Sequence, residues 1–80
     1  MLYLPQNLKQ YRLLKNLTQE DVAGYLHVTA QSVSKWERGE SCPDITLLPA
    51  LANLFETSID RLIGMDRIRA AETRLAIHKK

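Results

Sequence analysis

Gln31, Ser34, Lys35 and Arg38 recur at intervals of three and four residues in the stretch TAQSVSKWERG, residues 29–39. That spacing puts them along one face of a helix. The set offers an amide, a hydroxyl, an ammonium and a guanidinium, and it contains no acid. A merely solvated helix face more often mixes Glu with Lys. The opposite face carries Val33, Trp36 and Glu37. The chemistry open to the outer stripe is recognition by donated hydrogen bonds and positive charge. No Ser–His–Asp set, glycine-rich phosphate loop or carboxylate pair accompanies it, which points away from an enzyme. His27 and His78 lack partner ligands, so neither a metal nor another cofactor is implied. The lone Cys42 makes no internal disulfide and reads as a partly buried thiol.

A short helix needs a domain to hold it. Eighty residues make one domain, with 45% hydrophobic and 25% charged residues, a globular composition. No apolar run is long enough to span a bilayer, and the start MLYLPQNLKQ lacks a signal-peptide core. The expectation is a soluble, cytoplasmic chain. The net charge of +2 is weak evidence for a polyanionic partner, unless the positive charge gathers on one face.

Periodicity of 3.6 residues dominates, and strand signals are poor. Pro5 opens a first helix with Leu4, Leu8 and Tyr11 as its apolar stripe, and Asn16 ends it. Thr18 caps a second helix, with Asp21 completing an acidic capping box. Val22, Ala23 and Leu26 form its buried face, Gly24 suits a close helix approach, and His27 ends it. Thr29 caps the third helix after only His27 and Val28, the tight joint of a helix-turn-helix. Gly39 stops that helix. Asp44 caps a fourth, with Ile45, Leu48, Leu51, Ala52 and Phe55 inward and Pro49 removing one backbone bond. Ser58 caps a short fifth helix with Ile59, Leu62 and Ile63 inward, ended by Gly64. Residues 65–80 form a further helical pattern, basic at its end, which either docks on the domain or pairs with another chain.

The run LTQEDVAGYLHVTAQSVSKWERGESCPDITLLPALANLFETSIDRLIG resembles the Cro/repressor-type, or XRE-like, helix-turn-helix family of phage and bacterial regulators. The resemblance spans about Leu4 to Gly64 and is carried by LTQ, VT, VSKWE-x-G, PD, LA-x-x-F and SID-x-LIG. It implies an all-α, compact lambda-repressor-like domain of five helices over residues 1–64. Residues 65–80 then form an additional C-terminal helix for dimerisation or a linker. Asn16, His27 and Glu56 stand where the family commonly has Gly, at some cost in stability.

The resemblance also implies roles. The outer stripe enters the major groove of double-stranded DNA and lacks acids because it meets a polyanion. Gln31 is the expected base reader, its amide matching adenine N6 and N7 at two points. Lys35 has two options, guanine O6 or N7 and a phosphate. Ala30 and Ser34 are expected at base edges, or simply to give clearance. Gln19, Thr18, Thr29, Arg38 and Arg12 are expected at the phosphate backbone, which fixes register. Thr18 and Thr29 are caps as well. Arg12 and Glu37 match the family's ion pair between the first and third helices, and Trp36 is structural.

The leading expectation is a homodimeric, sequence-specific transcriptional regulator, a repressor in most of this family, reading a palindromic operator. Alternatives are an antitoxin that binds a toxin partner through its C-terminal helix, and an adaptor that has lost DNA binding.

Overall fold

The computed structural model describes residues 3–65 of the 80. Every regular element among them is helical: α1 (Leu4–Leu14), α2 (Gln19–Leu26), α3 (Ala30–Glu37), α4 (Leu48–Leu54) and α5 (Ile59–Ile63). A 3-10 turn, Ile45–Leu47, leads into α4. The helix expected over 65–80 lies, beyond Met65, outside the described residues.

Local chemistry sets the helix starts. Thr18 Oγ1 accepts from the Asp21 N–H at 3.0 Å, and Asp21 Oδ2 accepts from the Thr18 N–H at 2.8 Å. Thr29 and Ser58 cap α3 and α5 the same way, through the Ser32 and Arg61 N–H groups. The two backbone bonds to Asp21 and Thr18 satisfy donors that a helix start otherwise leaves unpaired. The backbone hydrogen bond from Thr18 holds the Asp21 carboxyl below its ordinary value. A depressed carboxylate stabilises the fold above its unfolded value and loses that contribution as pH falls through the lower folded one. The acid limb of a stability–pH curve, starting near the ordinary 3.8, is therefore expected to flatten in Asp21→Asn.

The helix ends share one device. Asn16, His27, Gly39 and Glu56 are left-handed, with φ of 57°, 59°, 75° and 54°. In each case the following residue donates back to a carbonyl five positions earlier: Leu17 to Arg12, Val28 to Ala23, Glu40 to Lys35, Thr57 to Ala52. These closures satisfy carbonyls that have no partner inside the helix. Three of them use a residue with a Cβ, so they carry backbone strain that glycine avoids.

Leu4 and Leu8 of α1, Val22, Ala23 and Leu26 of α2, and Val33 and Trp36 of α3 form one buried cluster with Leu48, Leu51, Phe55 and Leu62. Tyr11 closes its edge, stacked on Phe55 with ring centroids 5.8 Å apart and its hydroxyl hydrogen-bonded to that of Thr57 at 3.0 Å. Asn7 is the buried polar residue among them. Its side-chain amide donates to the carbonyls of Arg61 and Leu62 at 3.1 and 3.0 Å, so α1 caps the end of α5.

Several expectations change. Ile45 is 75% exposed, because the chain makes a 3-10 turn before α4 and turns that side chain outward. Asp44 accordingly caps the turn, accepting from the Thr46 N–H at 2.9 Å. Pro49 sits in the first turn of α4, a position where its fixed φ suits the helix. Ile59 is 37% exposed rather than inward, and Cys42 is an exposed thiol. Gly24 permits no close approach: a Cβ there meets nothing within 4 Å. Gly64 is the opposite case, with φ of 85° and a Cβ that would overlap the Tyr3 side chain. Gly24→Ala is expected to raise stability by about 1 kcal/mol. Gly64→Ala is expected to lower it by more than about 1 kcal/mol, and denaturant midpoints will show the two signs.

Candidate nucleic-acid interface

Glu37, on the inner face of α3, organises the three helices around it. Its Oε2 accepts from Arg12 Nε at 2.7 Å, and its Oε1 accepts from Arg12 Nη2 at 3.1 Å. The same Oε1 accepts from Gln19 Nε2 at 3.2 Å. Arg12 Nη1 donates to the Leu17 carbonyl at 3.0 Å. One carboxylate thus ties α3 to α1 through a fork and to α2 through an amide. The Arg12 and Glu37 side chains are 12% and 5% exposed, so the pair is largely withdrawn from water. The hydrogen bond to Glu37 raises the Arg12 guanidinium pKa above its ordinary value against the opposing effect of burial.

With its inner face clamped, α3 turns the other side outward. Gln31, Lys35 and Arg38 are exposed, and Ala30 and Ser34 are half-buried at its margins. A shallow open groove lies beside α3, where the end of α1 meets the start of α2. Arg12, Leu17, Thr18, Gln19 and Ala30 help line it. The structure therefore gathers the expected site residues into two adjoining sets. One is the outer stripe of α3; the other is the corner formed by Arg12, Thr18, Gln19 and Ala30. Thr29 stands at the start of α3, its hydroxyl bonded to the Ser32 N–H at 3.1 Å and the Ser32 hydroxyl at 2.8 Å.

Two features of this surface go beyond the helical spacing of the stripe. Gln19 is already oriented by Glu37, which leaves its amide a second N–H. Arg38 is ion-paired with Glu40, so an acid borders the stripe that is acid-free within the helix. The adjacency of Arg38 and Glu40 could have been read from WERGE, since a left-handed Gly39 folds the next residue back. The Gln19 contact had no local signal. Among the described residues no group of three His, Cys, Asp or Glu side chains could hold a metal ion, and no helix is long and apolar enough to cross a membrane.

A helix-turn-helix family model matches residues 8–62, which takes in the capped joint between α2 and α3 and the helices that brace it. The chain belongs to the XRE-like helix-turn-helix family. This helix-turn-helix chain is 41% identical over 69 residues to the HTH-type transcriptional activator BcrR of Enterococcus faecalis, covering 85% of this chain and 34% of that protein. It is 39% identical over 57 residues to the HTH-type transcriptional regulator MJ0272 of Methanocaldococcus jannaschii, covering 71% and 86%. It is 34% identical over 65 residues to the HTH-type transcriptional regulator ImmR of Bacillus subtilis, covering 81% and 51%. The chain thus spans about a third of the length of BcrR and about half that of ImmR. No solved structure matches it. The family is one of DNA-binding transcriptional regulators, and its all-helical fold is the one described above.

Proposed function

We propose that this helix-turn-helix chain is a cytoplasmic, sequence-specific regulator that binds double-stranded DNA as a homodimer and represses by occupying a palindromic operator. The observation that carries the reading is the two-sidedness of α3. Glu37 and the buried Val33 and Trp36 hold its inner face, and its outer face presents exposed Gln31, Lys35 and Arg38. That is the arrangement a helix needs to lie in a major groove with its polar side chains on base edges.

In this reading Gln31 reads adenine, and Lys35 donates to guanine or to a phosphate. Ala30 and Ser34 lie against base edges. Gln19, Thr18, Thr29 and Arg38 take backbone positions, and Arg12 adds its outer edge. One domain carries one recognition helix, so a pair of half-sites about 34 Å apart calls for two copies. The dimer surface is α5, the 65–80 segment or both, and that segment also offers a surface to a protein partner.

The test is selection of bound duplexes from a random pool at near-physiological salt, followed by a promoter reporter carrying the selected site. An enriched inverted repeat with half-sites one turn apart, and a reporter that falls when the protein is expressed, are the expected results. No enrichment by a folded protein would overturn the reading, and a rising reporter would overturn the repressor assignment.

A further inference from the structure

We infer that Glu40 is a positioning residue that competes with DNA phosphate for Arg38 and so limits how tightly the interface grips the backbone. The inference rests on the proposed reading of α3 as the recognition helix.

Glu40 is held at the end of α3 by its backbone. Gly39 is left-handed at φ 75°, its N–H donates to the Trp36 carbonyl at 3.1 Å, and the Glu40 N–H donates to the Lys35 carbonyl at 2.9 Å. This closure folds Glu40 back against the last turn, and its carboxylate pairs with the Arg38 guanidinium. Both side chains are 54% exposed, so the pair faces solvent on the side offered to DNA. Other ion pairs lie away from this edge. Arg12–Glu37 braces the inner face, and Lys15–Glu56 joins the ends of α1 and α4. Neither puts an acid on the outer stripe.

The consequences follow from charge. Before Arg38 can give its Nε to a phosphate it must leave Glu40. An exposed pair of this kind holds its members by about two- to fivefold in equilibrium constant. Once Arg38 has moved, the freed carboxylate stands beside a polyanion. It takes up a cation and cancels part of the counterion release that Arg38 would bring. Glu40 therefore lowers both the affinity and its steepness in salt.

The experiment uses the full chain and the duplex that the wild type enriches, with binding followed by fluorescence anisotropy across a salt series. Glu40→Gln is expected to bind about three- to tenfold more tightly at low salt, with a salt slope steeper by about one. Glu40→Asp is expected to stay near wild type. In an Arg38→Gln background the gain from Glu40→Gln should shrink to the part that comes from the carboxylate's own repulsion by DNA, because the rest acts through Arg38. Equal or weaker binding by a folded Glu40→Gln, or the same gain without Arg38, would overturn the inference while leaving the DNA-binding reading intact. A wild type that binds no duplex would overturn that reading and this inference with it.

Discussion

Arg12→Met is expected to lower the stability of the domain by about 3–5 kcal/mol. The substitution leaves the Glu37 carboxylate, 5% exposed, with only the Gln19 amide as partner. A buried charge stripped of its counter-ion keeps its desolvation cost and loses the attraction that offset it. A domain of this size has a total stability of about 5 kcal/mol, so the variant should be largely unfolded at 25 °C. Arg12 also gives a hydrogen bond to the Leu17 carbonyl, inside the turn that leads to α2, and that is lost too. Replacing both partners, Arg12→Met with Glu37→Leu, is expected to restore much of the stability, because no charge is left without a partner. Urea unfolding of the two variants checks this. Wild-type stability in Arg12→Met would mean that the pair is solvated and weak, and the clamp account of α3 would fail. The double variant should fold yet bind DNA poorly. Gln19 loses its anchor in it, and α3 keeps its apolar seat without the fork that sets its orientation.

Gln31→Ala is expected to leave stability unchanged and to erase discrimination at one base position of each half-site. Gln31 is exposed, forms no hydrogen bond among the described residues that would be missed, and opens the outer stripe in the first turn of α3. A two-point amide–adenine contact contributes about 1–3 kcal/mol of discrimination, so the preference at that base should fall by roughly 5- to 150-fold. Competition between the selected duplex and single-base variants measures it. The pattern is as informative as the size. A base reader loses preference at one position, whereas a phosphate contact weakens all sequences alike and reduces the salt slope. Lys35→Gln separates its two options by the same criterion. Unchanged preference at every position in Gln31→Ala would remove Gln31 from the base-reading set.

Much of this domain is written in short-range chemistry. Thr18, Thr29 and Ser58 cap the helices that their position before an apolar period predicts. Asn16, His27 and Glu56 take the left-handed conformations expected where a helix must stop without glycine. Val22, Ala23 and Leu26 are buried, and so are Leu4 and Leu8, as their spacing requires. Each of these outcomes is decided within a turn or two of chain, so the order of residues carries it. The Arg12–Glu37 pair bridges 25 positions and was expected only through family resemblance.

What the chain order leaves open is which faces meet. Asn7 looks like one more polar residue on α1 until the end of α5, 54 positions away, places two carbonyls over it. Gln19 reads as a free amide until Glu37 is brought within 3.2 Å of it. Gly24 suggests a close contact that the packing does not make, and Ile45 suggests a core position that a 3-10 turn rotates into solvent. The sequence alone determined the five helices among the described residues, most of their caps and stops, the family and the outward stripe of α3, because periodicity and capping act locally. Only the tertiary structure decided the hub at Glu37, the Asn7 cap and the outward turn of Ile45, because hydrogen bonds and burial between distant segments exist only once the helices have packed.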